Sequence, residues 1–300
     1  MRRRRKRTGT SAPSIAAEVT ASVLAAIKCG CTPWEMPWHR HQGSTEWPRS
    51  ITGRRYSGIN VLALWASARR FGFSDPTWAN EEQWREAGMR LLPAERPTTA
   101  IIYRERALTW PPSGAPIRFA RRLALFNRQQ VFGEMEREPR RRLATLRCVD
   151  ELAQATHANI EIGGDRACYR LETDDILVPH RSRFYGDLDE SDSAYAAVVL
   201  HELVHWTGAE HRLNRDLTGR FGSAAYAMEE LVAELGSAFL AAELGTSSRP
   251  RADHARYIDC WLSVLKRDHR AILIAASHAE RATQYLLGFQ RGNRKARKLQ

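Results

Sequence analysis

Apolar residues recur at helical spacing in several parts of the chain. Residues 14–28 resemble an amphipathic helix, with Ile15, Val19, Leu24 and Ile27 on or near one face. Residues 193–207 are unbroken helix-compatible sequence, and Gly208 follows at a position where a helix can end. The same spacing predicts helices over 61–70 and 226–245, and at least one more within 253–288.

Shorter apolar runs bounded by turn-forming residues predict strands. They lie at 97–103, 123–132 and 175–179, and the first two can be read either as strands or as a strand that leads into a turn. Residues 159–162 and 167–171 flank Gly163-Gly164 and are predicted to pair as a hairpin. We therefore expect an α+β protein in which a small sheet precedes the helix at 193–207.

A charged run with a proline, at residues 134–142, is the best candidate for a linker. It predicts two domains: a small α/β domain over 13–133 and a second domain over 146–290, joined by a linker over 134–145. Residues 1–12 form a basic leader and residues 291–300 a basic tail, and we expect both to be disordered.

Residues 201–205 read His-Glu-Leu-Val-His within a predicted helix. This spacing places His201 and His205 one turn apart, so both imidazoles face the same way and supply two of the three protein ligands of a catalytic zinc ion. The carboxylate of Glu202 can accept a proton from a water molecule that the metal activates. A helix with merely hydrogen-bonded histidines is disfavoured, because burying these side chains without a metal is costly. We predict one Zn²⁺ per chain, with another divalent metal as the alternative.

Two residues compete to be the third ligand. His211 completes the longer pattern H-E-x-x-H-x-x-G-x-x-H, in which a glycine permits the turn. Glu230 lies in the predicted helix 226–245, where carboxylates interrupt an apolar stripe. We favour Glu230, because Met228 lies inside this helix rather than in the turn that the longer pattern also requires.

Two other carboxylates of the same predicted helix have candidate roles at the metal site. Glu234, one turn after Glu230, is predicted to hydrogen-bond to an imidazole that binds the metal, without binding the metal itself, as in thermolysin-like enzymes. Glu229 and Glu234 are also weaker candidates for the third ligand itself. A hydrogen-bond donor to the reacting carbonyl oxygen is expected as well, and Tyr226 or Arg183 could supply it.

Charge is distributed unevenly along the 300 residues, whose formal net charge is +12. Residues 1–140 contain 24 Lys and Arg and 12 Asp and Glu, whereas residues 141–300 contain 22 of each. A genome-wide bias toward arginine would not segregate charge in this way. The distribution favours a polyanion-binding module joined to a separate catalytic module.

The five cysteines are few, odd in number and scattered, which favours a reduced, cytoplasmic protein. No stretch approaches 18 apolar residues, so we expect no membrane-spanning helix and no membrane partner.

Seven of the nine tryptophans precede residue 111, several of them near arginines. Aromatic rings beside cations are typical of surfaces that bind single-stranded nucleic acid, because bases stack on rings while cations contact phosphates. We assign Trp65 and Trp84 to the core instead. The candidate DNA contacts are Arg54, Arg55, Tyr56, Arg69 and Arg70.

Six motifs are spread over nearly the whole chain. They are Pro33-Trp-x-x-Pro-Trp38, Thr52-Gly-Arg-x-Tyr-Ser-Gly-Ile-Asn60, Phe126-Asn-x-x-Gln130, Gly163-Gly-x-x-Ala-x-Tyr169, His201-Glu-Leu-Val-His-Trp-Thr-Gly208 with Arg212-Leu213, and Tyr226-Ala-x-Glu-Glu-Leu-Val-Ala-Glu-Leu-Gly236. Together they resemble ArdC-type antirestriction proteins, which are similar in their N-terminal region to the TraC-type primases of conjugative plasmids.

The resemblance implies a single-stranded-DNA-binding domain followed by a zincin-like metallopeptidase domain. It also implies a mobile-element protein that guards incoming DNA from restriction, with single-stranded DNA as a partner and a restriction component as an example of a protein substrate. The alternative is a non-catalytic protein that coats single strands and whose metal site is structural or idle. A nuclease is disfavoured, because phosphodiester chemistry usually recruits carboxylate-held Mg²⁺.

Overall fold

The computed structural model describes residues 46–106, 117–133, 145–185, 188–220, 223–246 and 270–297. It also describes positions 17, 20, 21, 25, 261, 264, 265, 267 and 268. The four described positions of the predicted helix 14–28 are helical. The predicted leader at 1–12, the motif at 33–38 and the linker residues 134–144 lie outside the described residues.

The first domain is a mixed sheet packed against a helix. Its strands are β1 (Arg49–Ser50), β2 (Thr77–Ala79), β3 (Arg90–Leu91), β4 (Thr98–Arg106), β5 (Ile117–Asn127) and β6 (Val131–Phe132), and its helices are α1 (Ile59–Phe71) and α2 (Glu81–Glu86). The four-stranded sheet has the order β1-β2-β5-β4, in which only β1 and β2 run parallel. Strands β3 and β6 form a separate two-stranded ribbon.

Strands β4 and β5 form a long antiparallel pair, from Thr98 opposite Leu125 to Arg106 opposite Ile117. The strand predicted at 97–103 is confirmed and continues beyond its predicted end. At 123–132 the predicted alternative of a strand that leads into a turn is confirmed, because β5 ends at Asn127, which caps a short 3-10 turn. Its side chain accepts a hydrogen bond from the Gln129 amide at 3.0 Å, and the Gln130 side chain accepts one from the Asn127 amide at 2.8 Å. Side-chain capping therefore ends β5 before β6 begins.

Tryptophans of the first domain fill its core. Trp65 is 2% exposed and Trp84 is fully buried, so both core assignments are confirmed. Trp47 and Trp65 make edge-to-face contacts with Phe239 of the second domain, with ring centroids 5.1 and 5.7 Å apart. The two domains therefore share one continuous apolar core, a closer association than the predicted linker between separate modules suggests.

The second domain combines a small sheet with long helices. Its helices are α3 (Thr145–Thr156), α4 (Leu188–Trp206), α5 (Ala224–Leu244) and α6 (Ala271–Arg297), and its strands are β7 (Asn159–Ile162), β8 (Cys168–Arg170) and β9 (Asp175–Val178). Helices α4 and α5 correspond to the predicted helices at 193–207 and 226–245. Helix α6 begins inside the predicted region 253–288 and continues past its end.

The hairpin predicted around Gly163-Gly164 is wrong. The strand order is β7-β9-β8, so β9 lies between the two strands that the sequence pairs. Strand β7 runs parallel to β9, and the Gly163 amide extends that pairing by donating to the Val178 carbonyl at 2.9 Å. Buried Ile176 and Val178 give β9 the central place, whereas mostly exposed β7 occupies an edge.

Helices α4 and α5 pack closely at Gly236. A Cβ atom at this position would lie 2.8 Å from one methyl group of Val204 and 2.9 Å from the other. The absence of a side chain at Gly236 therefore lets the two helix backbones approach at Val204, which lies between His201 and His205 on α4. This close contact fixes the distance between the helices that carry the metal-ligand candidates.

Helix α6 continues to Arg297, so residues 291–297 extend a helix and the prediction of a separate disordered tail is wrong for them. Helical hydrogen bonding continues from the buried part of α6 into its basic end. Among the described residues, no helix combines the length and apolar character that crossing a bilayer requires.

Candidate metal centre

The imidazoles of His201 and His205 converge on one face of α4. Their Nε2 atoms are 3.0 Å apart and their ring centroids 4.7 Å apart. His201 is 2% exposed, and the side chain of His205 is 13% exposed. The spacing of four residues thus brings both ring nitrogens to one point, as expected for a helix.

Glu230 approaches the same point from α5. One of its carboxylate oxygens lies 3.5 Å from Nε2 of His201, and the other lies 3.5 Å from Nε2 of His205. Among the described residues, these three side chains form a group whose ligand atoms all lie within 4.8 Å of one another. The fold therefore brings the two histidines of the motif together with the carboxylate favoured from the sequence.

Two further carboxylates face the opposite ring nitrogens. Glu229 Oε1 is 3.1 Å from Nδ1 of His205, within hydrogen-bonding distance. Glu234 Oε2 is 3.7 Å from Nδ1 of His201. Each imidazole thus has one carboxylate on each side. With a metal bound at the two Nε2 atoms, the Nδ1 atoms would carry the protons and face Glu229 and Glu234. Glu234 thus lies near Nδ1 of His201, the position predicted for it, and Glu229 lies at the equivalent position near Nδ1 of His205.

Burial and charge act in opposite directions on this cluster. Burial alone would lower the pKa of His205, but Glu229 and Glu230 outweigh it and raise that pKa to about 10. Burial would raise the pKa of Glu230, yet hydrogen bonding to His201 and His205 holds it well below its usual range. The cluster therefore favours a positive charge at its centre.

Arg215 secures Glu229 and was not found from the sequence. Its Nε donates to Glu229 Oε2 at 3.0 Å, and Nη2 donates to Oε1 at 2.8 Å. The same guanidinium donates to the Thr207 hydroxyl at 2.8 Å and to the Val204 carbonyl at 2.6 Å. Arg215 lies in an irregular segment after α4, where no periodicity relates it to Glu229, so only the fold reveals the pair.

Gly208 is required by this arrangement. A Cβ atom there would lie 2.9 Å from Arg215 Nη2 and 3.0 Å from the carbonyl oxygen of His205. Helix α4 ends at Trp206, close to the end that the sequence predicts. The glycine therefore makes room for the guanidinium in addition to following the helix end.

The donor set fits a divalent metal. Ligand atoms about 2.0–2.1 Å from a tetrahedral zinc ion lie about 3.3 Å from one another. The two Nε2 atoms are 3.0 Å apart, and each lies 3.5 Å from a different oxygen of Glu230. With one ligand atom taken from each residue, the three atoms lie within 4.8 Å of one another, so a small movement of the carboxylate would complete the set. Two imidazoles and one carboxylate form a ligand set of catalytic zinc sites that leaves a position for substrate or water.

Glu202 is buried beside the two histidines, at 2% exposure. Burial and then the nearby Glu202 carboxylate raise the pKa of the Cys168 thiol, which places Glu202 near the edge strand β8. Tyr226 is half-buried one turn before Glu230 on α5. Arg183 lies in a 3-10 turn after β9 and pairs with Asp165 at 3.0 Å.

His211 lies outside this cluster. It is largely exposed, and its Nε2 lies 3.4 Å from Asp174 Oδ2. The neighbouring Arg212 donates to the same oxygen at 3.0 Å and lies 3.9 Å from the Trp206 ring centroid. The segment after α4 therefore turns His211 toward the β8–β9 loop.

The candidate DNA contacts of the first domain form two groups at opposite ends of α1. Arg54, Arg55 and Tyr56 precede the helix, whereas Arg69 and Arg70 are in its last turn. A 13-residue helix is about 20 Å long, so the two groups are well separated. One contact surface would have to extend along the domain to include both.

The first group is partly engaged by the protein itself. Arg55 pairs with Glu243 of the second domain at 2.6 Å. Burial raises the pKa of Tyr56, whose hydroxyl donates to the Trp78 carbonyl at 3.0 Å. Arg54 is exposed.

The second group retains an aromatic neighbour. The guanidinium of exposed Arg70 lies 5.2 Å from the ring centroid of Phe71, which is 53% exposed. Strand β5 also carries Arg121 and Arg122, both exposed, which sequence reasoning did not single out. They pair with Ile102 and Ile101, and Ile101 is hydrogen-bonded to Asn60 at the start of α1, so they lie toward the first group. They lie within a segment whose pattern is that of an ordinary strand, so the sequence pattern does not mark them as candidate contacts.

Known proteins resemble both halves of this arrangement. A family model for the N-terminal domain of the anti-restriction factor ArdC matches residues 13–141, and a model for zincin-like metallopeptidases matches residues 147–278. The metal-free crystal structure of the antirestriction protein ArdC from the R388 plasmid aligns with a TM-score of 0.78 and 30% identity, covering 93% of this chain and 99% of that one. The chain belongs to the ArdC-type antirestriction family. The predicted α+β fold with two domains and the family resemblance are thereby confirmed.

Further members and relatives extend the comparison. The Mn(II)-bound structure of the R388 ArdC protein aligns with a TM-score of 0.75 and 30% identity, covering 91% of this chain and 97% of that one. An uncharacterized protein of Sinorhizobium fredii, y4eC, is 36% identical over 93% of this chain and 94% of its own length. Two forms of DNA primase TraC of Escherichia coli are 32% and 34% identical, but the chain spans only 20% and 27% of their lengths.

We expect an Arg215→Lys variant to bind Zn²⁺ about 10–100-fold more weakly than the wild type. A lysine cannot reproduce the two-point contact with Glu229, so Glu229 would orient His205 less firmly. Zinc affinity is measured by competition with a chelating dye. Arg220→Lys is the matched control, because Arg220 is exposed in the same segment. Equal zinc affinities for both variants would contradict the role given to Arg215.

Proposed function

We propose that this ArdC-family protein binds single-stranded DNA through its first domain and hydrolyses peptide bonds at a zinc centre in its second. The observation that carries the catalytic part is the convergence of His201, His205 and Glu230, together with the burial of Glu202, the residue that follows His201. The Mn(II)-bound form of the R388 ArdC protein supports a divalent metal in this fold.

In this proposal His201, His205 and Glu230 hold the metal, with Glu229 and Glu234 orienting the imidazoles. When bound, the metal would polarise the scissile carbonyl and lower the pKa of a water molecule. Glu202 removes a proton from the attacking water molecule and later delivers it to the leaving amine nitrogen. Tyr226 and Arg183 remain the two candidates to donate to the carbonyl oxygen; Tyr226 lies at the start of α5, four residues before Glu230, and Arg183 is paired with Asp165.

The DNA-binding part rests on charge and on family membership. The first 140 residues carry twice as many cations as anions, and exposed Arg54, Arg70, Arg121 and Arg122 belong to them. The pair of Arg70 and exposed Phe71 offers a cation beside a ring for base stacking. The TraC relatives are named as DNA primases, which supports a DNA partner for the shared region. Arg54, Arg55, Tyr56, Arg69 and Arg70 remain the proposed contacts.

The DNA-binding part is tested with a labelled oligo-dT and a duplex of equal length across a salt series. We expect the single strand to bind at least about tenfold more tightly, because bases must be unstacked to meet the rings. Its log affinity should fall with log salt at about 0.7 per phosphate contacted. Equal affinity for both DNAs would contradict binding of single strands in particular.

A further inference from the structure

A large cleft lies between the two domains. Its volume is about 1020 Å³, and its walls are the segment before α1 on one side and α6 on the other. Glu280 of α6 joins the walls, because its Oε2 accepts a hydrogen bond from the Gly58 amide at 2.9 Å. The cleft is therefore built from both domains and would be incomplete in either one alone.

The described lining of this cleft is rich in cations. Arg54 and Arg55 line the first wall, where Arg55 also pairs with Glu243 at 2.6 Å, and Arg281 lines the second. Glu280 is the one carboxylate among the described lining residues, and it is engaged by the Gly58 amide and by Gln284 at 3.3 Å. Burial raises the pKa of Glu280, so its negative charge is disfavoured in this position. The net electrostatic character of the cleft therefore favours an anionic ligand.

Apolar groups lie among these cations. Ile274 of α6 is 47% exposed although it is a large apolar side chain, and it lines the cleft together with Ile102 and Leu123 of the sheet. Burial, followed by nearby Arg215 and Arg281, lowers the pKa of His278, which disfavours the charged form of its imidazole. An uncharged ring and exposed aliphatic groups beside arginines can contact bases while the arginines contact phosphates.

The face of α6 toward the cleft follows the helical period. Ile274, Ser277 and Arg281 are all exposed and lie three and four residues apart, so they form one stripe along the helix. This stripe belongs to the metallopeptidase domain, whose share of the sequence carries no excess of positive charge. The position of Arg281 on the wall opposite Arg54 is therefore a local feature of the cleft and does not follow from the composition of the domain.

We propose that this cleft binds a short segment of single-stranded DNA, with Arg54 and Arg281 contacting phosphates from opposite walls and Ile274 contacting a base. The proposal deepens the proposed DNA-binding function and depends on it. The volume is at the upper end of the range of about 300–1,000 Å³ for pockets that enclose small ligands, which suits a few unstacked nucleotides. A duplex keeps its bases stacked inside the helix, where the apolar lining cannot reach them. DNA would thus contact the same two domains that share the apolar core.

The test measures oligo-dT affinity and its salt dependence for single variants of the full chain. Arg281→Ala is expected to weaken binding about three- to tenfold at moderate salt and to reduce the salt slope by about 0.7, since one phosphate contact is lost. Ile274→Glu is expected to weaken it about tenfold or more, because it places a negative charge in the cleft. Arg270→Ala is the matched control: this exposed arginine immediately precedes α6 and does not line the cleft.

Each outcome separates this proposal from the broader one. If the wild type does not prefer single strands, the proposed DNA-binding function itself is overturned. If the wild type binds and Arg54→Ala weakens binding, but Arg281→Ala behaves like Arg270→Ala, only the cleft is overturned. Photocrosslinking of an iodouracil-containing strand gives a second readout: crosslinks within residues 273–281 support the cleft, and crosslinks confined to the first domain refute it. Thermal unfolding of each variant confirms that the exposed substitutions leave the fold intact.

Discussion

A Glu202→Gln variant is expected to lose peptide hydrolysis by about 10²–10⁴-fold while retaining the metal. Glutamine has the same size as glutamate, so it can occupy the buried position without changing the packing around His201 and His205. An amide cannot accept the proton of the attacking water molecule, which removes the general base. Cleavage is measured with a library of fluorogenic peptides, and bound metal is measured by elemental analysis.

Glu210→Gln is the matched control for this substitution. Glu210 is exposed eight residues later, so its replacement changes the charge equally and should leave cleavage unchanged. Persistent cleavage by pure Glu202→Gln protein would show that Glu202 is not the base. Protection of incoming DNA against restriction adds a second readout. Undiminished protection by a cleavage-dead variant would favour the alternative, a protein that coats single strands and whose metal site is structural or idle.

The elements that the sequence predicts well are those whose hydrophobic pattern and local signals agree. Helix α4 follows from an unbroken helix-compatible segment that ends before Gly208, and α5 follows from its apolar stripe. Strand pairing is different, because it depends on which strand buries most surface. The glycines at 163–164 resemble a hairpin turn, yet the more apolar β9 takes the centre of the sheet and separates β7 from β8.

For the metal-ligand candidates as well, local spacing predicts some contacts and the packing of helices determines the others. His201 and His205 are related by helical spacing, so the sequence alone predicts that their ring nitrogens meet. Glu230 and Glu234 could be proposed because they interrupt an apolar stripe on α5. The pairing of Glu229 with His205 and Arg215 depends on the crossing of two helices and on the path of an irregular segment. No local pattern encodes that crossing, although Gly236 and Gly208 are the residues that permit it.

The charge distribution also did not predict how closely the two domains pack against each other. Segregated charge and a charged run predict two modules with a linker, and the family models match two regions of the chain. Trp47 and Trp65 nevertheless pack on Phe239, and Arg55 reaches Glu243 across the boundary. A tryptophan side chain is large, and it buries more of its surface when both domains contact it. Tryptophans of the first domain can therefore contribute to a core that the two domains share.

Replacing Glu230 with Gln is expected to lower zinc affinity more than 100-fold. Groups that only orient a ligand typically contribute about 10–100-fold, and a direct ligand should contribute more. Glu230 is the carboxylate within 3.5 Å of Nε2 of both histidines, so its loss leaves two neutral ligands and removes the negative charge that balances the cation. The affinity is measured by titration against a competing chelator, with circular dichroism to confirm folding.

Two matched substitutions decide between the candidates for the third ligand. His211→Ala should leave zinc affinity within about twofold of the wild type, because His211 is exposed and faces Asp174 rather than the cluster. Glu229→Gln should give an intermediate loss of about 10–100-fold, since Glu229 orients His205 from its Nδ1 side. A large loss for His211→Ala with little change for Glu230→Gln would reverse the assignment. It would mean that the segment after α4 turns inward to complete the H-E-x-x-H-x-x-G-x-x-H pattern when the metal binds.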